Sequence, residues 1–242
     1  MPLPLQNRVA LVTGSAKRLG RAVALRLARE GADVAIHYRS SEAEARSAVA
    51  EIEALGRRST AIPADLTQVA EIRALIEKAA EHFGRLDILI NSAANFLQTD
   101  FAATTEKSWS ESLNTNLKAP FFCSQAAAPF LKQIRGAIIN FADLGAFLAW
   151  PGYIPHCISK AGVVMLTKAL AKELAPEVRV NAIAPGTVTM PGDPPEWEAD
   201  FRQRAPLHRV GTPNDVADAV MYILTAPFLT GHTLVLDGGR TL

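Results

Sequence analysis

Cysteine is scarce in this chain: two in 242 residues, Cys123 and Cys157. Two thiols without metal-ligand spacing exclude a disulfide framework and a cysteine metal centre, and they predict a reducing compartment. Net charge is nearly absent as well, because 25 Lys and Arg stand against 24 Asp and Glu. A formal charge of +1 removes the electrostatic footprint of a nucleic-acid binder or of a protein held on an acidic membrane. No apolar run reaches the 18 or so residues that a spanning helix needs. The opening "MPLPLQNRVALVTG" has no charged segment leading into an apolar one, so no signal peptide is expected and the predicted location is cytoplasmic. No metal is expected, and no nucleic-acid or membrane partner.

What is present is apolar and periodic. Hydrophobic residues make up 49% of the chain, enough for the core of one large α/β domain. Seven short apolar runs recur: "RVALVT" (8–13), "ADVAIHY" (32–38), "RSTAIPA" (58–64), "LDILIN" (86–91), "GAIINFA" (136–142), "VRVNAIA" (178–184) and "HTLVLD" (232–237). They are too apolar to keep one wet face, as expected of parallel strands buried on both sides. Amphipathic stretches separate them. "RAVALRLAREG" (21–31) ends on Gly31 and "TQVAEIRALIEKAAEHFG" (67–84) on Gly84, each a helix C-cap signal. Strand and helix in alternation predict a single doubly wound Rossmann domain over 1–242, a parallel sheet of about seven strands with helices on both faces. The proline-rich segment 187–211 breaks the pattern and predicts a substrate lid with one short helix around 196–204. It follows a strand, so it belongs at the carboxyl ends of the strands, where ligands bind in such sheets.

The first strand runs into "LVTGSAKRLGRAVA". Backbone N–H groups opening a helix, together with its dipole, suit a pyrophosphate. The match to G-x-G-x-x-G is poor, since Gly14 and Gly20 alone stand in this loop, and an ordinary glycine-containing βα turn is the competing reading. After the second strand comes "HYRSS" (37–41), with no acid for a ribose 2′-hydroxyl and with Arg39, Ser40 and Ser41 as donors. That composition suits a 2′-phosphate.

Taken together the motifs resemble the short-chain dehydrogenases/reductases along nearly the whole chain. The loop is similar to that family's T-G-x-x-x-G-x-G, with Arg18 at the middle glycine. "ADLT" (64–67), "NSAA" (91–94), "NTNLKAPFF" (114–122), "LAKELAPEVRVNAIAPG" (170–186) and "LDGG" (236–239) follow in the family's order. The resemblance implies an NADP(H) site built from Gly14, Lys17, Arg18, Leu19, Gly20, His37, Tyr38, Arg39, Ser40, Ser41, Asp65, Leu66, Asn91, Ser92, Ala93, Lys160, Pro185, Gly186, Thr187 and Val188. It also implies a homotetramer packed through helices around 106–134 and 156–175. Within the family, Arg18, Phe96 and Asp143 are most similar to the pteridine reductases. There the arginine touches phosphate and pterin, and the aromatic stacks on the pterin. That would make Arg18, Phe96, Asp143 and His156 substrate contacts. Phe96 as an ordinary core residue is the alternative.

One position departs from the family. In "YIPHCISK" (153–160), His156 stands four before Lys160, where the family has its proton-donating tyrosine. Tyr153 lies seven before and is not that tyrosine. The family's catalytic set would therefore read Asn116, Asp143, His156 and Lys160. Imidazole, with an ordinary pKa of about 6.5, is a competent acid. Its tip lies roughly 2 Å closer to the backbone than a phenol oxygen, so a bridging water is one route and a neutral ring without a proton role is the other. Three functions stay open: an NADPH-dependent reductase of a pterin-like or other planar conjugated substrate with His156 as donor; a general carbonyl reductase of the 3-oxoacyl type; and a non-catalytic NADP(H)-binding protein.

Overall fold

The computed structural model describes residues 3–190, 193 and 195–242. All seven expected strands form: β1 (Val9–Val12), β2 (Asp33–Tyr38), β3 (Ser59–Pro63), β4 (Ile88–Asn91), β5 (Ala137–Phe141), β6 (Arg179–Pro185) and β7 (Thr233–Leu236). They make one parallel sheet in the order β3-β2-β1-β4-β5-β6-β7. The chain first builds outward from β1 and then returns to β4 on its other side. The order therefore reverses between β1 and β4, and the crevice beyond their carboxyl ends is where a ligand belongs.

The helices are α1 (Arg18–Arg29), α2 (Glu42–Ala54), α3 (Val69–Phe83), α4 (Glu106–Leu113), α5 (Ala119–Gln133), α6 (Ile154–Leu174), α7 (Pro195–Arg204) and α8 (Pro213–Thr225). They cover both faces of the sheet, and the strand period of two divides its side chains between two cores. Ala10, Val12, Val34, Ile36, Ile88 and Ile90 meet α1, α2 and α8. Val9, Leu11, Ala35, Leu89 and Ile138 meet α3, α5 and α6. Leu11, Ile36, Leu89 and Ile138 are completely buried, each contributing about 1.5–3 kcal/mol relative to exposure. β7 departs from the expected double burial: all four of its residues are half-buried, because it is the edge strand and nothing pairs beyond it.

Helix boundaries moved for identifiable reasons. α1 begins three residues before the expected start, directly on the loop arginine. α3 begins at Val69, since Thr67 N–H is drawn to Asp65 Oδ1 at 2.9 Å and Gln68 N–H to Asp65 O, forming a turn ahead of the helix. Gly84 caps α3 in the left-handed conformation, with φ +77°, as expected. The long helix expected over 106–134 is α4 and α5 joined by a π turn at Asn114–Lys118. Such turns re-aim side chains within a helix, and Asn116 in it is buried.

The expected lid exists in part. Val188 bridges Gly211 at its base, and α7 supplies the short helix. Phe201 and Ala205 pack on Leu144, with Leu148, Trp150 and Val235 around them. Gly186 is required beneath: a Cβ there would stand 2.7 Å from Phe201 Cζ. Residues 191, 192 and 194 of the expected lid lie outside the described residues.

Candidate active site

A cavity of about 910 Å3 follows the carboxyl edge of the sheet. Its lining begins at Tyr38, Arg39, Ser40 and Ser41 beyond β2, passes Gly14 and Lys17 to Gly20 beyond β1, and takes in Asp65 and Leu66 after β3 and Ser92 and Ala93 after β4. It ends at Asp143, Lys160, Pro185, Gly186 and Val188. The sequence reading chose all of these. Two residues that it placed on the cofactor do not line the cavity. Asn91 Nδ2 is turned inward to Asn140 Oδ1 at 2.8 Å, tying β4 to β5, and Thr187 lines a small separate pocket under the lid. Asn95, Glu111, Thr115 and Met190 line the cavity and were missed. Adjacency to "NSAA" and to Asn116 was the available signal for Asn95 and Thr115; Glu111 and Met190 had none.

The phosphate loop is built to expose backbone. Gly14 turns with φ +65°, and a Cβ there would meet Ala93 Cα at 2.8 Å. Thr13 Oγ1 accepts N–H bonds from Ser92 (3.0 Å) and Ala93 (3.1 Å), locking the loop to the end of β4. No side chain caps α1 at Lys17, so its first N–H groups are left for the cavity. This is the arrangement a pyrophosphate requires. His37, read from sequence as a cofactor contact, has both ring nitrogens committed within the protein. Gly14 N–H donates to Nδ1 at 2.9 Å, and Nε2 donates to Ala64 O at 3.1 Å. The ring is therefore a neutral brace under the loop, and burial pushes its pKa down, against a smaller upward pull from the Ala64 carbonyl.

The basic residues differ in their engagement. Lys17 pairs with Glu44 at 2.7 Å. Arg18, at φ +51°, adopts the left-handed conformation of the glycine it replaces. Its guanidinium grips Asp193 of the lid through two bonds of 2.6 and 2.8 Å, so loop and lid are tied across the cavity mouth. Arg39 enters no ion pair among the described residues, although Asp65 is near enough to feel its charge.

At the far end, three expected residues, Asn116, His156 and Asp143, converge in one chain of hydrogen bonds, with Lys160 beside them. Asn95 N–H donates to Asn116 Oδ1 at 2.8 Å, and Asn116 Nδ2 donates to Asn95 O at 3.1 Å, which fixes the orientation of that amide. Nδ2 then points at His156 Nδ1, 3.4 Å away, and at Ser159 Oγ, 3.2 Å away. Asp143 as a carboxylate can only accept, so His156 Nε2 carries a ring proton. Nε2 donates to Asp143 Oδ2 at 2.7 Å, while Gly145 N–H donates to Asp143 Oδ1 at 2.8 Å. Burial alone would push the Asp143 pKa up. The His156 hydrogen bond, the Lys160 charge and the Gly145 N–H outweigh it, and the carboxyl is held below its ordinary value. Lys160 is buried, donates to Phe141 O at 2.9 Å, and burial lowers its pKa against the attraction of Asp143.

His156 itself, 2% exposed, does not line the cavity; Asp143 does. The sequence reading placed His156 against substrate, and the structure places it one residue behind. The reason is the short reach of imidazole combined with a carboxylate in its path. Phe96 is also outside the cavity lining. Its ring stacks on Tyr153, with centroids 4.4 Å apart, and meets His156 edge-on at 4.8 Å. One face of the expected platform is thus covered by the chain itself, and Phe96 is 53% exposed.

A family model described as enoyl-(acyl carrier protein) reductase matches residues 14–241. The chain belongs to the short-chain dehydrogenase/reductase family. A 3-oxoacyl-(acyl-carrier-protein) reductase of Staphylococcus aureus is 37% identical over 240 residues, covering 96% of this chain and 98% of the relative. The 3beta-hydroxysteroid dehydrogenase 1 of Eggerthella lenta is 38% identical over 248 residues, covering 98% and 95%. Among solved structures, a short-chain dehydrogenase of Burkholderia cenocepacia in complex with NADP superposes with a TM-score of 0.94 at 36% identity, covering 98% of this chain and 99% of that one. A blue fluorescent protein from a metagenomic library, in complex with NADPH, gives 0.93 at 32% identity, covering 98% and 99%. No helix among the described residues is long and apolar enough to cross a membrane.

The His37 brace has a testable pH signature. Below about pH 6.5 an unfolded histidine takes up a proton, while the folded ring, with its lowered pKa, resists it. The unfolded state then binds more protons, so stability falls as pH drops through that window. His37→Gln keeps an acceptor and a donor and does not titrate. Melting temperatures measured from about pH 8 to pH 5.5 should fall less steeply in the variant; parallel curves would show that His37 carries no such load.

Proposed function

We infer that this chain is an NADPH-dependent reductase acting by hydride transfer on a planar conjugated substrate. The observation that carries the reading is one continuous cavity with an arginine that has no ion pair among the described residues at its nucleotide end, uncapped helix N–H groups at its middle, and Lys160 with Asp143 at its far end. Bound in it, NADPH would supply the hydride. Arg39 with Ser40 and Ser41 would hold the 2′-phosphate, the start of α1 the pyrophosphate, and Lys160 the nicotinamide ribose. The NADP and NADPH in the two structural neighbours support this choice.

The substrate class rests on the residues that resemble the pteridine reductases: Arg18, Phe96 and Asp143. They support a flat heteroaromatic such as a pterin, held near Phe96 and the Asp143 carboxylate. The 3-oxoacyl reductase likeness supports the second reading, a general carbonyl reductase. The place of the family's phenol is taken by a pair. His156 is a positioning residue that holds Asp143 toward the cavity, and Asn116 holds His156. A non-catalytic cofactor-binding protein is the third reading.

The exposed apolar stripe Ile154, Ile158 and Met165 on α6, with Trp109 on α4 and Phe121 on α5, supports a homotetramer packed through these helices. Met165→Glu should lower the mass measured by light scattering. A parent protein that runs as a monomer would remove the proposal.

Each charge-assisted phosphate contact is worth about 1.5–3 kcal/mol, or about 10- to 100-fold. NADPH should therefore bind more tightly than NADH by that order, and Arg39→Asp should narrow or reverse the preference. Equal dissociation constants in the parent would count against the 2′-phosphate site.

His156→Phe removes the donor that helps hold Asp143 ionised. Its turnover should drop about 100-fold, the order that a misplacement of about 1 Å costs. Because a carboxylate that is needed ionised works above its pKa, and that pKa rises in the variant, the acid limb of the pH–rate profile should move up. NADPH affinity should be kept, and His156→Gln, which retains a donor, should recover part of the loss. Unchanged turnover and an unchanged profile would make His156 a bystander. Reductase activity confined to His156→Tyr would establish the non-catalytic reading.

A further inference from the structure

The far end of the cavity carries charge and no hydroxyl. Its lining there is Phe141, Ala142, Asp143, Lys160, Pro185 and Gly186. Of the nearby donors, His156 Nε2 and Gly145 N–H serve Asp143 and Ser159 Oγ serves the His156 carbonyl, while Lys160 Nζ uses one of its three N–H groups on the Phe141 carbonyl. Asn116 Nδ2 serves Asn95, Ser159 and His156. The group presented to a substrate is therefore a carboxylate with its own donors behind it.

This arrangement is ill-matched to a ketone. Hydride arriving at a carbonyl carbon leaves an alkoxide, and a proton must reach that oxygen. Here the growing negative charge would face Asp143, and none of those six lining residues carries a hydroxyl to quench it. A cation reverses the sign of the interaction. It is attracted by Asp143, which lines the cavity, before the reaction.

We propose, resting on the reductase reading above, that the substrate is a cationic iminium carried in a planar ring. The iminium carbon gains the hydride as a new C–H bond, and the C=N π pair moves onto nitrogen as a lone pair. The reduced nicotinamide that gives up the hydride becomes the oxidised cation, so positive charge passes from substrate to cofactor within reach of the same carboxylate. The product is a neutral amine, and no proton is taken from the protein. Loss of the phenol is then no loss of function: the proton a ketone would need from tyrosine is absent from the balance.

The test pairs binding with turnover. N-methylisoquinolinium is an unreactive, permanently charged probe, and isoquinoline in mildly alkaline buffer is its neutral counterpart. Calorimetry on the NADP+-free protein should find the cation bound about 10- to 100-fold more tightly, and Asp143→Asn should erase most of that difference. With NADPH, N-methyl-3,4-dihydroisoquinolinium should be reduced, and the matched ketone 1-tetralone should not. Equal affinity of the cation and the neutral ring in the parent would overturn the proposal whether or not the variant folds. Reduction of 1-tetralone at a comparable rate would overturn it while leaving the reductase reading intact. Tight NADPH binding with neither probe reduced would overturn both.

Discussion

The five inner strands of the sheet are buried on both faces, and this leaves the carboxyl edge of the sheet as the place for polar chemistry. Faces filled by Leu11, Ile36, Leu89 and Ile138 admit no charge without a partner, since an unpaired buried charge costs several kcal/mol. At the edge the strands stop, backbone N–H groups emerge, and loops can carry Gly14, Arg39, Asp143 and Gly186 into one groove. Some of the buried polar groups are tied in pairs close to that edge, as Asn91 is to Asn140 and Asn140 to Thr167. They brace the groove and do not face it.

The substitution at position 156 acts through this bracing. A histidine four residues before the lysine has a donor on one side and an acceptor on the other, and the structure spends both. Asn116 Nδ2 lies against Nδ1 on one side, and Asp143 takes the Nε2 proton on the other. With imidazole in place, the polar atom that reaches the cavity is the aspartate oxygen. The cavity therefore meets a carboxylate at this point, with the Lys160 ammonium also in its lining.

The fold was legible in the sequence because it rests on local signals. Strand runs of β-branched and apolar residues, helices ending on Gly31 and Gly84, and strand–helix alternation each have short-range physical causes. Most of the cofactor groove was legible for the same reason, since loops that follow parallel strands emerge at one edge. The brace that His37 makes was not legible, because its place in "HYRSS" says nothing about Gly14 and Ala64, which come from other segments. Asp193 went unread because nothing in the lid sequence says that its partner is Arg18, 175 residues away. The π turn that buries Asn116 was equally silent, as its cause is a packing choice within an otherwise ordinary helix.

By itself the sequence determined the strand count, the parallel sheet, the family, and the residue types available at each end of the groove. Those follow from periodicity and from motifs held at fixed spacing. Tertiary structure decided which atoms those residues present. Whether His156 or Asp143 meets the cavity, whether Phe96 offers a free face, and whether Arg18 points to a phosphate or to the lid depend on distances of 2.6 to 4.8 Å between segments far apart in the chain. Hydrogen bonds and ring contacts fall away beyond such lengths, and spacing along a sequence does not encode them.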